Sequence, residues 1–88
     1  MIELSTYAER LKIPVERITG RSRKREPVYA RYVYFLYMRN LGYTYVEIAE
    51  KFDKTHASVI FGVKTVNELI EVNDKYLERF LKAIDYEQ

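Results

Sequence analysis

The groups best able to do chemistry in this chain are cations, hydroxyls and one imidazole, gathered in two short stretches. One is Lys54-Thr55-His56-Ala57-Ser58, which contains the single histidine. The other is Arg21-Ser22-Arg23-Lys24-Arg25, four cations in five positions with nothing apolar among them. Neither stretch is composed for catalysis. A lone histidine with no acidic partner at triad-like placement does not activate a nucleophile. The absence of cysteine removes thiolate chemistry, disulfides and thiolate metal sites. No G-x-x-x-x-G-K-[ST] phosphate loop is present, so no bound nucleotide is expected. The sequence thus predicts no enzyme, no metal and no cofactor. What these side chains suit is a polyanion. Amides at a helix start favour a nearby anion, and hydroxyls can hydrogen-bond base edges.

The element that must position them spans residues 44–64. Thr44 and Glu47 have capping-box spacing, so hydroxyl and carboxylate can each satisfy an orphan amide at a helix start. Ile48, Ala49 and Phe52 then form one apolar face, which Asp53 and Lys54 interrupt. Thr55 can cap a second helix, in which Val59, Ile60, Val63 and Val66 recur at near-helical spacing. Two short helices, a tight turn, a small residue at position 49 and a polar first turn in the second helix describe a helix-turn-helix. Such a unit presents the start of its second helix to base edges in the major groove. Gly62 lies inside that helix, at a cost of about 1 kcal/mol relative to alanine. A close helix crossing or a close DNA backbone would each account for it.

The remaining chain reads as support. Leu4, Tyr7, Ala8 and Leu11 follow a helical stripe over 3–12. Pro14 is expected to end that helix and open a very short one over Val15–Ile18, with Gly20 stopping it in a left-handed conformation. A basic loop over 20–26 follows, placed like an arm that lies along phosphates or enters the minor groove. A long helix is predicted from Pro27 to Leu41, closed by Asn40-Leu41-Gly42. Val33, Phe35 and Leu36 are its core candidates, whereas Tyr32 could pack or reach a phosphate with its hydroxyl. Arg31 and Arg39, eight residues apart, are expected on similar faces as a possible phosphate clamp. Asn73-Asp74 breaks the chain before a final packing helix over 74–86, with Tyr76, Leu77, Phe80, Leu81 and Ile84 as its stripe.

The 88 residues allow one domain, predicted as an all-α, compact bundle of five to six helices. Residues 1–67 carry 12 Lys and Arg against 7 Asp and Glu, and residues 68–88 carry 3 against 6. That asymmetry puts a nucleic-acid face on the basic part and leaves the acidic C-terminal region as a candidate surface for a protein partner. No run of about 18 apolar residues suggests a membrane span, and Met1-Ile-Glu-Leu is unlike a signal peptide. A cytoplasmic, nucleoid-associated protein is expected.

The order Arg23-Lys-Arg-Glu-Pro-Val-Tyr-Ala-Arg31, then Glu47-Ile-Ala, then Lys54-Thr-His-Ala-Ser-Val-Ile-Phe61 resembles the C-terminal DNA-binding domain of the bacterial replication initiator DnaA. The resemblance covers roughly residues 5–84, and its most specific part is His56-x-Ser58-Val59 with the upstream arginine. It implies a Trp-repressor/DnaA-C-terminal-like bundle that binds double-stranded DNA. It places Arg23 in the minor groove and Thr55, His56 and Ala57 at the family's base-contacting positions. It assigns phosphate contacts to Lys54, Ser58, Arg31, Tyr32 and Arg39. The basic loop adds Arg21, Lys24 and Arg25, and the second helix adds Lys64.

Three departures bear on what is read. Thr55 replaces an aspartate, removing the acceptor suited to cytosine N4. Ala57 replaces a threonine, keeping apolar contact with a thymine methyl and losing the hydrogen bond. The turn from Phe52 to His56 is one residue shorter and lacks the family's paired glycine. The initiator's ATPase loop is absent, so a stand-alone relative, such as one from a phage or mobile element, or a fragment is expected; Met1 favours the former. The competing expectation is a protein-interaction module that keeps the fold without binding DNA.

Overall fold

The computed structural model describes residues 1–86, and among these the regular elements are six α-helices and one 3₁₀ turn. They are α1 (Leu4–Leu11), α2 (Val15–Thr19), α3 (Arg25–Asn40), α4 (Tyr45–Phe52), α5 (His56–Glu71), the 3₁₀ turn Lys75–Leu77, and α6 (Glu78–Ala83). The all-α bundle predicted from the sequence is the observed fold. α3 is its axis. It packs most extensively against α5 and also meets α2, α4 and α6.

Several ends differ from the sequence reading, each for a local reason. Lys12, not Pro14, closes α1 by turning left-handed at φ 59°, while Ile13 N–H donates to the Ala8 carbonyl at 3.1 Å. Gly20 is extended, with φ −76° and ψ −157°, rather than left-handed. A Cβ there would lie 2.6 Å from the Glu16 carbonyl oxygen, so close approach makes the glycine necessary. α3 starts two residues before Pro27, which sits in the first turn where its missing N–H costs nothing. The final helix is shorter than 74–86: Asp74 accepts from Leu77 N–H at 3.1 Å and starts a 3₁₀ turn, and α6 ends at Ala83.

The core explains the tyrosine content. Val33, Phe35 and Leu36 are buried as predicted, and so are Tyr34 and Met38 from other faces of α3. α3 can be apolar nearly all round because helices cover it on several sides. Phe35 meets Phe52 edge-on at 5.0 Å, tying α3 to α4; burying such a side chain contributes about 1.5–3 kcal/mol. Tyr7 O–H donates to the Ala30 carbonyl at 2.7 Å, and Tyr34 O–H to the Ile2 carbonyl at 2.9 Å. The Ile2 amide in turn donates to the Tyr37 hydroxyl. Burial pushes the Tyr34 phenol up to about 12, with Tyr37 adding to the shift, and holds Tyr7 well above the usual tyrosine range. All nine tyrosines are buried or half-buried, so they belong to the packing of the bundle.

Gly62 has one of its two candidate explanations. A Cβ at this position would stand 2.7 Å from Tyr32 Cδ1 and 3.0 Å from Phe35 Cδ2. The glycine lets α5 cross α3 closely, with the Tyr32 ring lying against Phe35 and edge-on to Phe61.

Candidate nucleic-acid interface

The helix-turn-helix predicted over 44–64 corresponds to α4, a tight turn and the first half of α5. The capping box is complete: Glu47 N–H donates to Thr44 Oγ1 at 3.1 Å, and Thr44 N–H to Glu47 Oε1 at 2.8 Å. These bonds with Thr44 hold the Glu47 carboxyl below its usual range. α4 closes through Asp53 in the left-handed region, φ 53°, with Lys54 N–H donating to the Ala49 carbonyl at 2.9 Å. That 6→1 bond is a Schellman closure with aspartate where glycine is usual. It accomplishes the turn without a glycine.

Thr55 caps α5: its Oγ1 accepts from Ser58 N–H at 3.2 Å and lies 3.0 Å from Ser58 Oγ. His56, Ala57 and Ser58 occupy the first turn, all exposed, and no acidic residue shares that turn. Val59, Val63 and Val66 face the core. Ile60, predicted for the same apolar stripe, is instead 41% exposed, and Phe61 is 60% exposed. The outward face of α5 therefore carries His56, Ala57, Ile60, Phe61 and Lys64 in sequence along successive turns. Ile60 and Phe61 are additions that spacing alone had assigned inward or left unassigned.

The predicted cations fall into distinct environments. Arg21, Arg23 and Lys24 are exposed along the loop that enters α3. Arg25 is exposed but stacked, its guanidinium carbon 3.9 Å from the Tyr76 ring centroid and 5.4 Å from that of Tyr29. Arg31 is only 8% exposed. Its Nε donates to the Ile18 carbonyl at 2.7 Å and its Nη2 to the Ser22 carbonyl at 3.3 Å. Burial lowers the tendency of Arg31 to hold its proton, although arginine remains charged in proteins. Lys54, in the turn before α5, donates from Nζ to the Gly20 carbonyl at 2.7 Å. Burial, then Arg31 and Arg21, lower its pKa.

Arg39 lies at the far end of α3, exposed, donating to the Tyr43 carbonyl at 3.1 Å with its guanidinium over the Tyr45 ring. Arg31 is thus buried against backbone carbonyls while Arg39 is exposed, so the two do not offer equivalent outward cations. Tyr32 is half-buried at the crossing with α5, and Lys64 is exposed two turns along α5 from His56. Among the described residues no cluster of His, Cys, Asp and Glu could hold a metal ion, and no helix is long and apolar enough to cross a membrane.

A family model described as the bacterial dnaA protein helix-turn-helix matches residues 4–66. Two chromosomal replication initiator proteins named DnaA 1 are similar to this chain: one from Chlamydia trachomatis serovar D and one from Chlamydia muridarum. Each is 36% identical over 61 residues, which is 68% of this chain and 13% of the relative. The matched region therefore spans about an eighth of those initiators. No solved structure matches the chain significantly.

Proposed function

The chain belongs to the bacterial DnaA helix-turn-helix family, and on that premise we propose that it binds double-stranded DNA with a sequence preference, in the control of replication or transcription. The observation that carries this reading is the first turn of α5. It is exposed, without an acidic residue, and placed by a helix-turn-helix beside a loop carrying Arg21, Arg23 and Lys24. His56 and Thr55 supply polar contacts to base edges, Ala57 an apolar contact, and Arg23 reaches the minor groove. Ser58, Lys64, Arg39, Arg21 and Lys24 face phosphates, with Arg25, Arg31, Lys54 and Tyr32 at the border of that surface. The Thr55 and Ala57 positions shift the preferred site away from the family's usual box, because Thr55 lacks the carboxylate acceptor of the family's aspartate and Ala57 lacks the hydroxyl of its threonine.

Selection of bound sites from a random duplex library tests this, run with the wild type, Arg23→Ala and His56→Ala. One short enriched motif in the wild type, degraded at different positions in the two variants, is the expected result. Absence of retention even at low salt would remove DNA as the ligand. The competing role, as a protein-interaction module, draws support from the exposed Ile60 and Phe61 on the same helix. It would be favoured if Phe61→Ser abolished a protein contact while DNA binding was absent.

A further inference from the structure

Residues 20–24 leave α2 and enter α3 with little of their own to hold them. Outside the helices, their only backbone–backbone hydrogen bond among the described residues is the Lys24 carbonyl accepting from Val28 N–H. Lys24 N–H reaches the Ser22 hydroxyl at 3.3 Å. The other partners are cations from elsewhere in the fold. Carbonyls of alternate residues, 18, 20 and 22, accept from Arg31, Lys54 and Arg31 in turn. Arg31 comes from the interior side of α3, and Lys54 from the turn between α4 and α5.

From this pattern we infer that Arg31 and Lys54 are positioning residues. They hold the basic loop in a fixed shape before DNA arrives, so that Arg23 is presented in register with the first turn of α5. This rests on the DNA-binding reading above for its purpose, though not for its geometry. Lys54 immediately precedes the cap Thr55, and its own amide closes α4. One residue therefore joins the end of the first reading helix, the start of the second and the loop. Gripping carbonyls engages Nε and Nη2 of Arg31 and one of the three donors of Lys54, and turns both side chains toward the loop. Bringing Arg31 and Lys54 to the same loop also places like charges near one another, a cost that carbonyl oxygens offset. An arm held this way forfeits less conformational freedom on binding than one that orders only on DNA.

The test separates holding from direct phosphate contact. Arg31→Lys keeps the charge and loses the paired Nε and Nη2 donors, and Lys54→Met keeps the aliphatic stem and loses the donor. Backbone ¹⁵N order parameters of residues 20–24 in the free protein should fall from about 0.85 to below about 0.6 in both variants, while α3 and α6 keep theirs. In binding titrations against the selected site and a site scrambled only at the Arg23 step, discrimination should collapse severalfold. The slope of log affinity against log salt should stay that of the wild type. Unchanged order parameters at 20–24 would overturn the inference. So would a salt slope that drops by about one for Lys54→Met with discrimination intact, the mark of a lost phosphate contact. Because the order parameters need no DNA, they decide the inference even if the protein binds none. A wild type that fails to bind DNA removes the functional reading alone.

Discussion

The two helices of the helix-turn-helix both begin on a threonine, and they differ three residues later in how that start is closed. Thr44 is answered by Glu47, which returns a hydrogen bond to the threonine amide and seals the start of α4. Thr55 is answered by Ser58, whose amide is capped but whose side chain returns nothing to the Thr55 amide. The first helix start is closed by a carboxylate that offsets the helix dipole internally. The second is left without negative charge in its first turn, so its positive end is available to an outside anion. Under the proposed function, the helix that packs and the helix that reads are told apart at one N3 side chain.

Exchanging that side chain should produce the largest effect. Ser58→Glu would give α5 its own capping box and place a carboxylate where a phosphate is proposed. DNA affinity should fall at least tenfold, or about 1.4 kcal/mol, with folding stability held or slightly raised. Anisotropy titration beside urea unfolding checks both. An unchanged affinity would mean that the start of α5 does not face the DNA.

The threonines themselves give the next effect. Thr44→Ala and Thr55→Ala should each lower stability by about 1 kcal/mol, a typical loss for an N-cap. Only Thr55→Ala should also alter the bound sequence in a library selection. If both variants shift it, or neither does, the two helix starts are not functionally distinct.

The smallest effect concerns acid. The Glu47 pKa is lower folded than unfolded, so its contribution is complete above the unfolded value and is lost as pH falls through the folded one. Unfolding curves from neutral pH into the acid range should show the wild type converging on Glu47→Gln below the ordinary glutamate range. A Ser58→Glu background should show a second such convergence, since the new carboxylate would sit in an equivalent cap.

Much of this was legible along the chain. The capping box at Thr44 and Glu47, the cap at Thr55 and the inward Val59, Val63 and Val66 depend on contacts within one or two helical turns. Spacing is sufficient to find those. Ile60 shows the limit: it fits a helical stripe, yet α3 and α4 do not cover its side of α5, so it remains exposed. Gly20 shows another, since glycine before a loop suggested a left-handed turn whereas the structure needs room beside the Glu16 carbonyl. Tyr34, buried on a helix apolar nearly all round, offered no periodicity by which to separate it from the half-buried Tyr32 and Tyr37.

The sequence by itself determined the all-α class, the place of the helix-turn-helix and the basic character of the loop before α3, because each follows from local spacing, capping and composition. Only the tertiary structure decided which cations remain outward. Arg21, Arg23 and Lys24 face solvent, while Arg31 and Lys54 grip carbonyls 13 and 34 residues away in the chain. A cation's partner is set by which backbone oxygens folding brings within reach, and nothing in its neighbours along the chain encodes that.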